Sequence, residues 1–313
     1  MIAYIVKKML LAIPTLFIVA LIVFCLMRSI PGDPAMILAG DINDPLIVEQ
    51  IRKSLGLDQP LPMQFFLWGK QVLSGNLGFS AMTGEPVFET MSKRIGVTAL
   101  LVVPALILSV LFAVPAGLYA AWNQNKKGDI TIMVCLIVAI SIPSFWMGMM
   151  LILIFGVWLG WLPTVGYVPF GEDFWQAGKY MILPVISIML VEMATITRMM
   201  RSNAIEVLRQ DYITHARAKG VSERNVLLKH TLKNSFAPTL TLIGLMLGSL
   251  LGGAAVVETV FSIPGIGRLL VDSIYARDYA VVQGILLFVS LIYVITNLLV
   301  DVLYPFFDPR VKL

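Results

Sequence analysis

Residue types that carry covalent or proton chemistry are few in this chain and poorly arranged for it. The two histidines, His215 and His230, share one polar segment with no acid or thiol in a recognisable catalytic arrangement, and neither Gly-Xaa-Ser-Xaa-Gly nor His-Glu-Xaa-Xaa-His occurs. Cys25 and Cys135 fall inside apolar runs with no histidine beside them, so neither metal binding nor a disulfide is expected of them. Glu192 and Asp301 fall near predicted inner ends of apolar runs and Glu258 near an outer end, which argues against a proton or ion relay through the membrane. No glycine-rich, lysine-containing phosphate loop is present. The chain is expected to be no enzyme and to bind no cofactor or metal of its own.

Polar chemistry concentrates instead in one place. Arg198 to Lys233 carries eight Lys/Arg against three Asp/Glu and reads as two short helices broken at Gly220. Ile205, Leu208, Tyr212 and Ala216 recur at helical spacing, with Arg209 and Arg217 on other faces. Ser222 then suits an N-cap for a helix bearing Val226, Leu227, Arg224, Lys229 and Lys233. Gly220 would supply the left-handed turn, and the small side chains of Ala216 and Ala218 would let a partner surface come close. From the pattern alone this is either a docking element for a soluble protein or a basic amphipathic hairpin lying on anionic lipid.

The elements that must hold this segment are apolar. Of 313 residues 58% are hydrophobic and 13% charged, with a mean hydropathy of +0.87, more than a soluble domain can bury. A hydrocarbon core of about 30 Å needs about 20 apolar residues in a helix. Six stretches qualify, at Met9 to Met27, Val97 to Trp122, Thr131 to Val157, Tyr180 to Thr197, Phe236 to Val257 and Val281 to Val300. The expectation is an all-α integral membrane protein of six transmembrane helices. Placing the N-terminus in the cytoplasm puts fourteen of the 23 basic residues inside, and six of the nine outside fall in one long outer segment where they weigh little. Both termini are therefore expected in the cytoplasm. Lys7 and Lys8 precede the first apolar run as in a signal sequence, but no small-residue cleavage site comes before Arg28, so an uncleaved span is expected.

The chain divides into residues 1–94, a first span with an extracytoplasmic segment, and residues 95–313, a five-span unit whose loop is 198–235. In the outer segment Asp44 can cap a helix opening at Pro45, with Ile47, Ile51 and Leu55 on one face and Gly56 as the stop. A second helix from Pro62 to Leu73 carries Phe65, Phe66 and Trp68. The pair forms a small cap that either packs on the spans or meets a partner. Pro104, Pro115, Pro143 and Pro184 interrupt spans at points where they can flex. Gly244, Gly248 and Gly252, with Ser249 and Gly253 beside them, give the fifth span a face with almost no bulk. It suits a close helix crossing, a wall of a solute pathway, or both if a second subunit crosses there.

Several segments carry a resemblance. DYITHARAKG at Asp211 to Gly220, followed by VSERNVLLKHTLKNSFAP to Pro238, resembles the cytoplasmic coupling loop of bacterial ABC importer permeases of the dipeptide and oligopeptide family. PGDP at Pro31 to Pro34, LGLDQPLPMQF at Leu55 to Phe65, SGNLGFS at Ser74 to Ser80, ETVFSIPGIGRLL at Glu258 to Leu270, RDY at Arg277 to Tyr279 and DVLYPFFDPR at Asp301 to Arg310 are similar to that family's first permease subunit, in order. One departure is Ala216, Arg217 and Ala218 where the general permease motif begins Glu-Ala-Ala, a variant the peptide subfamily shares. The resemblance implies a type I ABC importer permease fold in the bacterial inner membrane, with an extra extracytoplasmic cap. It implies partners too: a second homologous permease, two ATPase subunits that hold ATP and Mg, and an extracytoplasmic solute-binding protein. In such importers the loop docks in an ATPase, which here would use Arg209, Tyr212, Ala216, Arg217, Ala218, Lys219, Gly220, Ser222, Glu223 and Arg224. Gly244, Gly248, Ser249 and Gly252 would line the pathway. Glu258, Pro264, Gly265, Gly267, Arg277 and Asp278 would form the outer gate and meet the binding protein. The family's solutes are dipeptides, longer peptides, glutathione or chelated nickel, with peptides the default.

Overall fold

Pro143 decides the most visible feature of the architecture. A residue before proline is driven out of the helical region, and Ile142 is extended (φ −97°, ψ 122°), as is Pro143 itself (φ −61°, ψ 142°). Helix α5, Lys127–Ser141, therefore ends there, and α6, Ser144–Leu151, leaves at 99° to it before continuing as π-type turns at Ile152–Trp158. The expected third span, Thr131 to Val157, is thus a bent pair and not one rod.

The computed structural model describes residues 2–29, 35–36, 44–54 and 56–307, the side chains of 2–5, 7, 251–253 and 305–307 excepted. The segment Pro31 to Pro34, Leu55 and the basic residues Arg310 and Lys312 lie outside the described residues, and so does the side-chain environment of Gly252. Among the described residues there are helices and one isolated antiparallel bridge, Phe79 to Pro86, with no strand. Among the described residues four helices are long and apolar enough to cross a membrane, and the number is six if each of two bent pairs is one span.

α1, Ile2–Ser29, is the first span. α2, Pro45–Ser54, starts where the Asp44 carboxylate accepts the Leu46 N–H at 2.9 Å, and it stops at Gly56, whose φ is +66°. α3, Leu61–Leu73, opens behind Pro60 and lays Phe65 and Trp68 on the outer half of α1, their rings 5.3 Å and 5.6 Å from that of Phe24. This cap packs on the first span.

α4, Val87–Trp122, starts behind Pro86, ten residues before the apolar run, so the expected division after residue 94 falls within it. α7, Phe174–Leu208, likewise outruns its apolar core at both ends and absorbs Arg198, Arg201, Ile205 and Leu208. Charged residues near a membrane boundary end an apolar run without ending a helix. The expected polar loop is therefore shorter than its composition suggests. α4 and α7 share the largest interface, so tight at Gly117 that an added Cβ would lie 2.8 Å from the Met200 Cβ. α8 is Asp211–Ala218; one helical turn, Glu223–Asn225, and π-type turns, Val226–Thr231, lead into α9, Leu232–Val260. α10, Ile266–Tyr275, and α11, Tyr279–Phe307, complete the chain. Leu101, Val102 and Ala105 of α4, Leu183, Ile188 and Ile196 of α7, and Met246 and Leu250 of α9 form the core around Phe261. Side chains such as Ile13, Leu111 and Ile137, about three-fifths exposed, face outward as lipid-facing residues must.

Candidate functional site

The inner hairpin is small and firmly held. α7 ends at Leu208, Arg209 closes its last turn and Gln210 turns extended (φ −74°, ψ 145°) to start α8, which has only eight residues. Ile205 and Leu208 thus belong to the long span, and the short helix begins after them. Ile213 is fully buried beneath α8, while Asp211, His215, Arg217 and Ala218 face out. At the far end Gly220 adopts φ +79°, its N–H donating to Arg217 O at 2.9 Å and the Val221 N–H donating to Ala216 O at 3.2 Å. Nothing surrounds the position of a Gly220 Cβ, so glycine is needed there for its dihedral and not for space.

Two side-chain contacts close the hairpin. Arg217 grips Glu223 with Nε and Nη2 at 2.8 Å and 3.1 Å, across the Gly220 turn. Asn234 Nδ2 donates to the Tyr212 hydroxyl at 3.0 Å, tying α8 to the start of α9. Ser222 occupies the expected capping position, but its hydroxyl makes no capping bond; its backbone carbonyl accepts the Val226 N–H at 2.9 Å instead. The segment behind it departs from the expected simple helix, since it widens to π-type turns that bury Val226 and Leu227. Ala218, Lys219, Gly220, Ser222 and Arg224, with Arg209 at the other end, form the exposed rim.

A second anchor lies just above and was not legible from spacing. Asp129, in the first turn of α5, receives Arg201 of α7 through Nε at 2.6 Å and Nη2 at 2.7 Å, and also accepts the Asn125 N–H at 2.9 Å. Asn203 of α7 meanwhile reaches Thr239 of α9 at 3.3 Å. The base of the hairpin is thus bonded to two neighbouring spans.

At the other end of the molecule the proposed gate residues are mostly internal. Glu258 is fully buried; its carboxylate accepts the Thr98 hydroxyl at 2.5 Å and the Arg268 N–H at 2.8 Å, while Thr98 Oγ1 accepts the Ile266 N–H at 2.8 Å. Glu258 so satisfies the free N–H groups that open α10 and ties them to α4. Gly265 is glycine because a Cβ would land on that carboxylate, and Gly267 because a Cβ would meet the Ala255 backbone at 2.7 Å. Asp278, also buried, accepts the Ser80 hydroxyl at 2.5 Å and precedes α11. Pro264 is half-buried and Arg277 is exposed, with φ +57°.

The glycine face turns inward. A Cβ at Gly244 would lie 2.2 Å from Val300 Cγ2, and one at Gly248 would lie 2.2 Å from Tyr293 Cδ2. Both glycines therefore serve a close crossing with α11 of the same chain, and the partner in that crossing is not a second subunit. Ser249 points the other way, onto a cavity of about 240 Å³ walled also by Ser144, Ile188, Glu192 and Val257. Glu192 is half-buried on this wall.

The sequence matches the family described as "Binding-protein-dependent transport system inner membrane component" over residues 113–313, and its N-terminal counterpart, "Binding-prot-dependent transport system membrane comp, N-term", over residues 1–102. The chain belongs to this family. It is a permease subunit of an ABC importer, a multi-pass protein of the inner membrane. The glutathione transport system permease protein GsiC of Escherichia coli (strain K12) is 43% identical over 312 residues, covering 100% of this permease and 99% of the relative. A putative peptide transport system permease protein of Brucella abortus (strain 2308) is 41% identical over the same length and with the same coverage.

Proposed function

We propose that this permease forms half of a solute pathway and carries short peptides, glutathione among them, that a soluble binding protein delivers from outside. The peptide and glutathione permeases it resembles over their full lengths support this solute class. α8 and the Gly220 turn are the handle through which two cytoplasmic ATPase subunits move it. The observation that carries this reading is the construction of the hairpin. Ile213 beneath, the Arg217–Glu223 clamp across and Tyr212–Asn234 behind make α8 a stiff projection whose outer rim is exposed among the described residues.

Energy enters because nucleotide binds one arrangement of the ATPases better than another, and the docked hairpin passes the difference to the spans. A second, homologous permease completes the pathway, with Ser249 and its cavity on the solute side. Lys8 of α1 meets Asp301 of α11 at 2.8 Å, which supports both termini lying on the same, cytoplasmic, face. The outer segment and the exposed Arg277 region meet the binding protein, while Glu258, Gly265, Gly267 and Asp278 hold that region in shape.

Cysteines placed at Ala218 or Ser222 test the docking. Crosslinking in intact cells should capture an ATP-hydrolysing protein, and capture that weakens in the Gly220→Val variant would match a fitted surface. Capture of none would remove the handle from the account. Uptake by the reconstituted importer, measured on a panel of di- and oligopeptides, glutathione and nickel chelates, tests the solute class.

A further inference from the structure

Glu192 stands apart among those carboxylates of the spanning helices that are not exposed. Asp129 is held by Arg201, Glu258 by Thr98 and Arg268, and Asp301 by Lys8, whereas Glu192 has no hydrogen-bond or ion-pair partner among the described residues. At 1.5 Å per residue it lies about 13 Å outward from Arg201 and about 26 Å inward from Trp175 along α7. Those two side chains are a charged and an aromatic boundary marker, about 39 Å apart, close to a bilayer's thickness with its interfaces. Glu192 therefore lies within the apolar length of α7, about 9 Å outward of the exposed Arg198.

The cavity it faces has a particular chemistry. Ser144 lies at the bend between α5 and α6, and Ser249 stands on the face of α9 away from α11; with Glu192 they supply the polar groups of a wall otherwise made of Ile188, Val191, Leu250 and Val257. The neighbouring residues 251–253 are leucine and two glycines and add no charge. An unpaired carboxylate at this depth is costly, and either a proton or a cation must offset its charge. A proton relay would need further titratable groups in line, and among the described residues no cluster of His, Cys, Asp or Glu could hold a metal.

We propose that Glu192, with the hydroxyls of Ser144 and Ser249, is the transient site for the ammonium group of the solute as it crosses. This rests on the peptide-importer reading above and narrows it, since the solute must carry a free amine. An ammonium ion entering a weakly polar passage loses hydration. One carboxylate and two hydroxyl acceptors replace part of that shell without gripping the rest of the molecule, so solutes of different side chains can pass.

The test uses the full complex reconstituted in vesicles, with the binding protein saturated in turn by a free-amine peptide and by its desamino analogue, in which hydrogen replaces the ammonium group. Glu192→Gln is expected to lower uptake of the free-amine peptide at least tenfold and that of the analogue less than twofold. The two permeases should still co-purify in Glu192→Gln, and Glu192→Asp should restore part of the uptake. Equal loss for both solutes, or loss for neither, overturns the proposal. So does separation of the two permeases in Glu192→Gln, which would make Glu192 an interface residue pairing with a cation of the second subunit. Wild-type vesicles that hydrolyse ATP yet import neither solute would overturn the peptide reading itself, and this site with it.

Discussion

Asp129 and Arg201, on different helices and seventy-two residues apart, meet through two parallel hydrogen bonds of 2.6 Å and 2.7 Å, with the Asp129 side chain 3% exposed and that of Arg201 20%. Removing one partner of such a pair leaves an uncompensated charge out of water, at a cost of about 3 kcal/mol or more. Asp129→Asn is therefore expected to lower the melting temperature of the purified permease in detergent by several degrees. Replacing both residues by Leu and Met should recover much of the loss, and a double change as damaging as the single one would refute the pairing.

Gly248→Ala should destabilise although alanine is the better helix former. Its Cβ would overlap the Tyr293 ring, and overpacking costs about 1–3 kcal/mol. Trimming the obstacle with Tyr293→Ala in the same chain should recover part of the yield of folded protein, read by fluorescence size-exclusion. If Gly248→Ala instead folds normally and blocks uptake, the glycine serves the passage and not the crossing.

Gly220→Val places a β-branched residue at φ +79°, where an L side chain is strained by about 1–2 kcal/mol. Because nothing packs on that position, the spans should still fold. The change should appear in ATP hydrolysis that no longer tracks uptake in reconstituted vesicles, and wild-type coupling would count against the docked hairpin.

Thr98→Val removes a hydroxyl that both donates to Glu258 and accepts from the Ile266 N–H. Leaving those buried groups unmatched costs about 1–3 kcal/mol. Hydrogen exchange over residues 261–275 should speed up in this variant while exchange in α4 and α7 stays slow. Unaltered protection there would show that the network does not set the shape of the outer end.

What was readable in the sequence was whatever a local rule fixes. Asp44 before Pro45, and Gly56 and Gly220 as helix stops, follow from capping and left-handed turns, and the structure has each of them. Hydropathy placed the spans but misjudged their ends, because α4 and α7 continue as helices where their sequences turn polar. From the sequence Pro143 is a point of flexing, while in the structure its effect on Ile142 is a near right angle. The rest needed three dimensions. Nothing within a few residues of Asp129 announces Arg201, and Gly248 carries no mark of Tyr293.

Pro184 has an effect that reaches the far side of the membrane. It has no N–H to give to the carbonyl of Tyr180, so α7 is softened about a third of the way along, and the stretch from there to Leu208 remains a continuous rod of roughly 36 Å. Glu192 and Arg201 both ride on that rod, inward of the soft joint. A swing of roughly 10° about the joint carries its cytoplasmic tip through about 6 Å, more than the width of a water molecule. The outer third of the helix, with Phe174 and Trp175, can stay still meanwhile.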